Sequence, residues 1–109
     1  MITFDQFKQL MSFETEGLYC VEIAFSVKKC EKFSSCWMGK MPEEKTKADL
    51  YWFGLTEDGN NAFDYCTFEE FVSAKVFDGR SLFEIWNEVI ISAIDGCDPE
   101  EQILHYIGE

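Results

Sequence analysis

The side chains best suited to chemistry in this chain are those of one histidine, His105, and of five cysteines. The cysteines are Cys20, Cys30, Cys36, Cys66 and Cys97. Thiol catalysis needs a thiolate in contact with a base, and no cysteine has a local sequence signature that would pair it with His105. We interpret His105 as an amphipathic residue of a terminal helix, and we predict no catalytic residues.

Metal sites made of thiolates usually contain pairs of cysteines that are two to four residues apart. The nearest spacing here, from Cys30 to Cys36, is wider and has no matching second pair. The acids near the end of the chain are Asp95, Asp98, Glu100 and Glu101. They lack the alternating ligand register of a calcium-binding loop, and Asp98 before Pro99 is typical of a helix N-terminus. The sequence therefore predicts no metal and no cofactor.

Charge is distributed unevenly along the chain. The net charge is −12, and residues 57–109 carry thirteen acids but only two bases, so they account for −11 of it. An anionic region of this kind repels nucleic acid and anionic lipid and attracts cationic partners. We expect a protein partner, with a basic partner favoured, no direct nucleic-acid binding and no membrane. The acids predicted to bind it are Glu69, Glu70, Glu84, Glu88, Glu100 and Glu101.

Length and composition favour one folded domain spanning residues 1–109. A chain of 109 residues has the size of a single domain, and its 17% aromatic content is unlike that of disordered acidic chains. An odd number of cysteines without a secretory signal is typical of reduced thiols, which predicts a cytoplasmic location. No segment approaches the ~20 consecutive apolar residues that span a bilayer.

The first half of the chain reads as one helix followed by strands. A capping box of Thr3 with Gln6 opens a helix over 4–13. Residues 18–27 alternate in polarity, which predicts a half-buried strand with Tyr19, Val21, Ile23, Phe25 and Val27 on one face. We predict a short strand over 33–38, an exposed loop over 39–49 and a strand over 50–55.

The second half reads as one strand and then helices. A hairpin turn at 57–61 leads to a return strand over 62–66. A capping box at Thr67 opens a short helix over 68–73, and residues 77–79 turn the chain. A third capping box, Ser81 with Glu84, and an apolar stripe predict a long helix over 82–94 that ends at Gly96. A last helix follows Asp98 and ends near residue 107.

Strands separated in sequence from helices and joined by short turns favour an α+β fold. We predict a three- or four-stranded antiparallel sheet with helices packed on one face. The long helix would place five apolar residues on the first strand: Leu82, Ile85, Trp86, Val89 and Ile90. Their expected partners are Tyr19, Val21, Ile23 and Phe25.

The aromatic residues of the strands exceed what one layer of helices can cover. Residues 50–55 are apolar on both faces, so one face either receives another segment of the chain or forms a contact surface. Tryptophan is among the residues that contribute most to protein interfaces. We therefore add Trp37 and Trp52 to the predicted partner-binding residues, and a homodimer through the uncovered face is a second hypothesis.

Four segments of the chain form a recognisable set: residues 36–42 (CWMGKMP), 51–55 (YWFGL), 74–79 (AKVFDG) and 94–101 (IDGCDPEE). Together they resemble a family of short, acidic, uncharacterised proteins of anaerobic gut bacteria. The resemblance covers roughly residues 33–104. It implies a bacterial cytoplasmic protein with an accessory role and unknown function, and it carries over no catalytic residue.

The function that the sequence favours is that of a non-catalytic protein-interaction or accessory module. One alternative is a nucleic-acid mimic that inhibits a basic nucleic-acid-binding protein, which the charge asymmetry would suit. Another is a small enzyme of unidentified class. The chain has no glycine-rich phosphate loop and no Gly-x-Ser-x-Gly motif, so we predict that it is not an enzyme.

Overall fold

The computed structural model of this protein describes residues 2–12, 20–42, 49–55 and 62–107. The helices in these ranges are α1 (Phe4–Ser12), α2 (Phe68–Ser73), α3 (Leu82–Ile85) and α4 (Pro99–Ile107). The strands are β1 (Val21–Val27), β2 (Cys36–Pro42), β3 (Asp49–Gly54), β4 (Ala62–Tyr65) and β5 (Val89–Ile94). Two short 3₁₀ turns cover Glu31–Phe33 and Trp86–Glu88.

The five strands form one antiparallel sheet in the order β4-β3-β2-β1-β5. The predicted α+β class and antiparallel sheet are therefore confirmed, but the prediction of three or four strands is wrong. The additional strand is β5, which pairs with β1 although it is the last strand in the chain. Its residues belong to the segment for which we predicted a helix.

Strand β1 follows the alternation that its sequence predicts. Val21, Ile23, Phe25 and Val27 are all buried, and the residues between them are exposed or half-buried. The strand begins at Val21 rather than at residue 18, and Tyr19 lies outside the described residues. The buried side chains of β1 form the centre of the covered face of the sheet.

The predicted strand over 33–38 lies later in the chain than expected. Phe33 belongs to a 3₁₀ turn, and β2 spans Cys36–Pro42, so the loop prediction is wrong for residues 39–42. Glycine and proline suggested a turn, but Gly39 occupies a position where the backbone of β1 leaves no room for a side chain. Lys40 is 1% exposed, which is unusual for lysine.

The predicted helix over 82–94 is wrong beyond its first turn. The capping box of Ser81 and Glu84 is present, but the helix ends at Ile85, and a 3₁₀ turn leads into β5. Strand β5 contains a β-branched run that favours extended backbone, and β1 offers it an edge with which to pair. Ile90 is 46% exposed and pairs with Ser26, so it lies on the face of the sheet opposite the buried β1 residues onto which we predicted that it would pack.

Gly96 belongs to a tight turn after a strand and not to a helix C-terminus. Asp95 and Gly96 have φ values of 53° and 76°, as in the two-residue turns that suit a β-hairpin. The turn brings Cys97 back to Ile94, and the two residues exchange backbone hydrogen bonds of 3.0 and 2.9 Å. Helix α4 then begins at Pro99, as predicted.

The other predicted helices are confirmed with small changes at their ends. Helix α1 begins with the expected capping box, in which Thr3 N–H donates to Gln6 at 2.9 Å and Gln6 N–H donates to Thr3 at 3.1 Å. Helix α2 is capped by the Thr67 hydroxyl, which accepts from Glu70 N–H. The hairpin turn predicted at 57–61 lies outside the described residues.

The buried residues of the helices and of the covered face form one hydrophobic cluster. Its densest part is aromatic: the rings of Phe53 and Phe71 stack with centroids 4.2 Å apart, and Phe7 lies 4.7 Å from Trp86. The Trp86 indole N–H donates to the Ile2 carbonyl oxygen at 3.2 Å. The helical layer is therefore fixed to one side of the sheet, and the strands present their alternate residues on the other.

Candidate partner-binding surface

The open face is the side of the sheet that points away from the buried cluster. Side chains alternate along a strand, so the residues between the buried ones belong to it. They are Glu22, Ala24, Ser26, Trp37, Gly39, Met41, Leu50, Trp52, Gly54, Ala62, Asp64, Ile90 and Ala93. Trp37 is 46% exposed and Met41 is 43% exposed, so this face presents large apolar side chains to solvent.

Two rows of residues cross the open face. The first crosses four strands and consists of Glu22, Gly39, Trp52 and Asp64, and the second crosses all five and consists of Ala93, Ala24, Trp37, Gly54 and Ala62. With neighbouring strands about 4.8 Å apart, the first row is about 14 Å wide and the second about 19 Å wide. Trp37 and Trp52 are diagonal neighbours on adjacent strands, a separation that aromatic side chains can bridge.

Trp52 leans over Gly39 within the first row. A Cβ atom placed on Gly39 would lie 3.0 Å from Cζ2 of Trp52 and would overlap the carbonyl oxygen of Val21. Gly39 therefore lets two backbones and an indole ring approach one another closely. The half-buried Trp52 ring rests on the sheet and leaves part of its surface to solvent.

Carboxylates stand at both ends of the Trp52 row. Glu22 and Asp64 are exposed, and neither forms an ion pair with a residue of the described ranges. An indole face attracts cations through its quadrupole, and the two carboxylates add negative charge on either side of it. The row can therefore bind a positively charged group.

Asp95 holds the backbone of Glu22, the residue that carries one of these carboxylates. Its Oδ1 atom accepts a hydrogen bond from Glu22 N–H at 2.9 Å, and Asp95 N–H donates to the Glu22 carbonyl oxygen at 2.7 Å. Its Oδ2 atom accepts from the Tyr106 hydroxyl and from Gln102 at 3.4 Å. Asp95 thus joins β1 to α4 through hydrogen bonds on both sides.

The six predicted partner-binding acids lie on the helical side of the molecule, apart from Trp37 and Trp52. Glu84 pairs with Lys75, and the resulting hydrogen bond lowers the pKa of Glu84. Glu88 pairs with Arg80 at 2.7 Å. These two acids are partly neutralised within the protein, which reduces what they can offer to a partner.

The remaining predicted acids sit in the first turns of two helices. Glu69 and Glu70 open α2, and Glu70 also accepts a hydrogen bond from the Thr67 hydroxyl at 3.1 Å. Glu100 and Glu101 open α4, whose N-terminus is capped by Asp98 through a 3.1 Å bond from Glu101 N–H. Acids in these positions stabilise their helices, and all four are exposed.

The cysteines differ in how far they are buried. Cys36 is buried and donates to the Leu55 carbonyl oxygen at 3.4 Å, and burial raises the pKa of its thiol to about 11. Cys20, Cys66 and Cys97 are exposed, and the first two lie just outside strands rather than within them as we predicted. His105 lies on the exposed side of α4, where its ring contacts Tyr106.

The described residues also bear on two other kinds of feature, a metal site and a membrane-spanning helix. In the ranges given above, no group of three or more His, Cys, Asp or Glu side chains is placed to hold a metal ion. No helix of those ranges is long and apolar enough to cross a membrane.

Sequence reasoning identified the two tryptophans but missed their neighbours. Trp52 was proposed because residues 50–55 are apolar on both faces, and Trp37 was added because tryptophan contributes strongly to protein interfaces. Glu22, Asp64 and Met41 share their face only through the strand register, which brings together residues more than forty positions apart. The wrong loop prediction over 39–42 also concealed Met41. A predicted pairing of β1, β2 and β3 would have found these three residues.

The comparisons with known proteins provide no further guide. Neither the protein-family models, nor the curated proteins, nor the solved structures contain a match to this chain.

Proposed function

We propose that this protein is a non-catalytic interaction module that binds a basic protein partner through the open face of its sheet. The observation that carries the proposal is the exposure of Trp37 and Met41 beside Trp52 on one flat surface. Large exposed apolar patches commonly mark binding sites, and tryptophan contributes strongly to interfaces. The net charge of −12 favours a positively charged partner.

One cavity among the described residues gives little support to a catalytic function. It has a volume of about 390 Å³ and lies beside the outer edge of β5. Its walls are mainly apolar, with Trp86 and Val89 among them, and the charged residues that line it are Lys28 and Glu100. Catalytic sites usually bring together several polar groups in one pocket, so this cavity favours the interaction module over the enzyme.

A pull-down from the cytosol of the native organism would test the proposal. The bait proteins would be the wild type, Trp37→Ala and, as a matched control, Leu104→Ala, which removes a 54% exposed apolar side chain from α4. The expected result is a basic protein retained by the wild type and by Leu104→Ala. Its affinity for Trp37→Ala should be at least about tenfold weaker, as for a hot-spot residue.

Two further outcomes would contradict the proposal. Equal binding by Trp37→Ala and the wild type would place the interface elsewhere. Weaker binding by Glu69→Gln and Glu101→Gln, with no effect of Trp37→Ala, would favour the acidic helical side and the nucleic-acid mimic.

Affinity for a basic partner should also fall as salt is added, because exposed charges are screened over about 8 Å at physiological ionic strength.

A further inference from the structure

The row formed by Glu22, Gly39, Trp52 and Asp64 has an arrangement that a purely apolar interface would not need. Asp64 is the direct cross-strand neighbour of Trp52, and Gly39 separates Trp52 from Glu22. The Cβ atoms of Trp52 and Asp64 are therefore about 5 Å apart, and Glu22 lies about 10 Å away on the other side. Because the indole leans over Gly39, it lies between the two carboxylates.

These carboxylates differ from the other acids of the described structure that face basic residues. Asp78, Glu84 and Glu88 form ion pairs with Lys32, Lys75 and Arg80. Glu22 and Asp64 form no ion pair with any residue of the described ranges, and both are exposed beside a half-buried indole. The negative charge of the row is thus directed to solvent.

We propose that this row is a binding seat for an arginine side chain of the partner. The inference rests on the proposed function, because that function supplies a basic protein, and it names the group by which the protein is recognised. The guanidinium would lie on the Trp52 ring, and its N–H groups would donate to the carboxylates of Asp64 and Glu22.

Geometry favours arginine over lysine in this seat. A guanidinium is planar, so it can stack on an indole and still direct N–H donors outward from both of its edges. The two carboxylates lie on opposite sides of the ring, where those donors would reach them. A lysine ammonium is a compact point charge that cannot cover the ring and reach both acids at once.

The probes for this seat are three capped tripeptides, each of the form acetyl-Gly-X-Gly-amide. Position X is arginine, lysine or citrulline, and citrulline keeps the shape of arginine but carries no charge. Binding is followed by NMR through the indole N–H resonance of Trp52, which Trp52→Phe assigns. We expect the arginine peptide to bind at least about tenfold more tightly than the citrulline peptide, because citrulline can still stack on the ring but lacks the cation–π attraction and the charge that strengthens the hydrogen bonds.

Substitutions that preserve shape test the two carboxylates. Asp64→Asn and Glu22→Gln should each weaken binding of the arginine peptide by about threefold to tenfold. Glu69→Gln, which removes the same charge from α2, is the matched control and should change binding by less than about twofold at 0.15 M salt. Equal binding of arginine and citrulline, or an equal effect of Glu69→Gln, would overturn the proposal.

The outcomes separate this inference from the proposed function. If Trp37→Ala abolishes capture of the partner while the arginine peptide does not shift the Trp52 resonance, the open face is an interface without an arginine seat. If the arginine peptide binds and the full partner is unaffected by Trp37→Ala, the seat exists and the proposed interface is wrong. Tighter binding of the lysine peptide than of the arginine peptide would also refute the assignment to arginine.

Discussion

The two faces of the sheet use aromatic residues for different purposes. On the covered face, Phe53 stacks on Phe71 and both rings are almost completely buried. On the open face, Trp37 keeps 46% of its surface exposed, and carboxylates rather than other rings end the row of Trp52. The phenylalanines contribute to the hydrophobic core, whereas folding does not require the exposed tryptophan surface. The difference indicates which aromatic residues are available for binding.

The largest predicted change in stability comes from replacing a tryptophan of the covered side, and the matched comparison replaces a tryptophan of the open face. Trp86 is 7% exposed and packs against Phe7, so Trp86→Ala should lower the free energy of unfolding by about 3–5 kcal/mol. Trp37→Ala should lower it by less than about 1 kcal/mol, because little buried surface is lost. Chemical denaturation of both variants measures the difference. Equal losses would show that the open face is part of the core.

The next largest change in stability is expected when alanine replaces one of two glycines of the open face. Gly39→Ala should destabilise the protein by about 1–3 kcal/mol, because the new methyl group would meet the Val21 backbone and the Trp52 ring. Gly54→Ala meets nothing within 4 Å, so it should be neutral or slightly stabilising in a strand. Thermal melts of both variants would test this, and a stable Gly39→Ala protein would refute the close packing at Gly39.

A smaller loss of stability is expected from replacing Asp95, which joins β1 to α4. Asp95→Ala removes the acceptors of Glu22 N–H and of the Tyr106 hydroxyl, and it should cost about 1–2 kcal/mol of stability. It should also speed hydrogen exchange at the Glu22 amide, which loses its acceptor. Asp98→Ala, which removes the cap of α4, serves as the control and should leave the Glu22 amide unchanged.

The last predicted effect, which is absent at neutral pH, is a pH dependence of stability at the covered face. Burial raises the pKa of Cys36 from 9.0 to about 11, so the unfolded chain loses this proton at a lower pH than the folded protein does. Stability should therefore fall as the pH rises from 9.0 to about 11. Cys36→Ala should show a weaker fall over that interval in denaturation at each pH. An identical fall in both proteins would contradict this cause.

Local patterns predicted those parts of the fold that depend on local interactions. The alternation of β1 and the capping boxes at Thr3 and Ser81 involve neighbouring residues and are present in the structure. At Thr67 the hydroxyl caps α2, but the reciprocal bond from its own N–H to the Glu70 side chain is not formed. A capping box determines where a helix begins but not how long it continues. The helix that begins at Leu82 is therefore correctly placed at its start and wrongly extended at its end.

The errors occur where distant parts of the chain decide the outcome. The apolar stripe of residues 82–94 fits a helix, but the free edge of β1 and the run of Val89, Ile90 and Ile91 favour a strand. Residues 39–42 of β2 were wrongly predicted as a loop because Gly39 and Pro42 suggested a turn, and only the pairing of β1 with β2 explains the glycine. Strand pairing is non-local information, and the open-face rows depend on it.

The position of β5 beside β1 has a consequence for how the molecule is made. The first four strands follow one another in sequence as neighbours, but the partner for the second edge of β1 arrives only with residues 89–94. A ribosome-bound chain that ends before those residues would display an unpaired β1 edge next to an incomplete hydrophobic layer. Such intermediates are prone to aggregate. A chain truncated after α2 should therefore depend on chaperones to remain in solution, whereas in the finished chain β5 covers that edge.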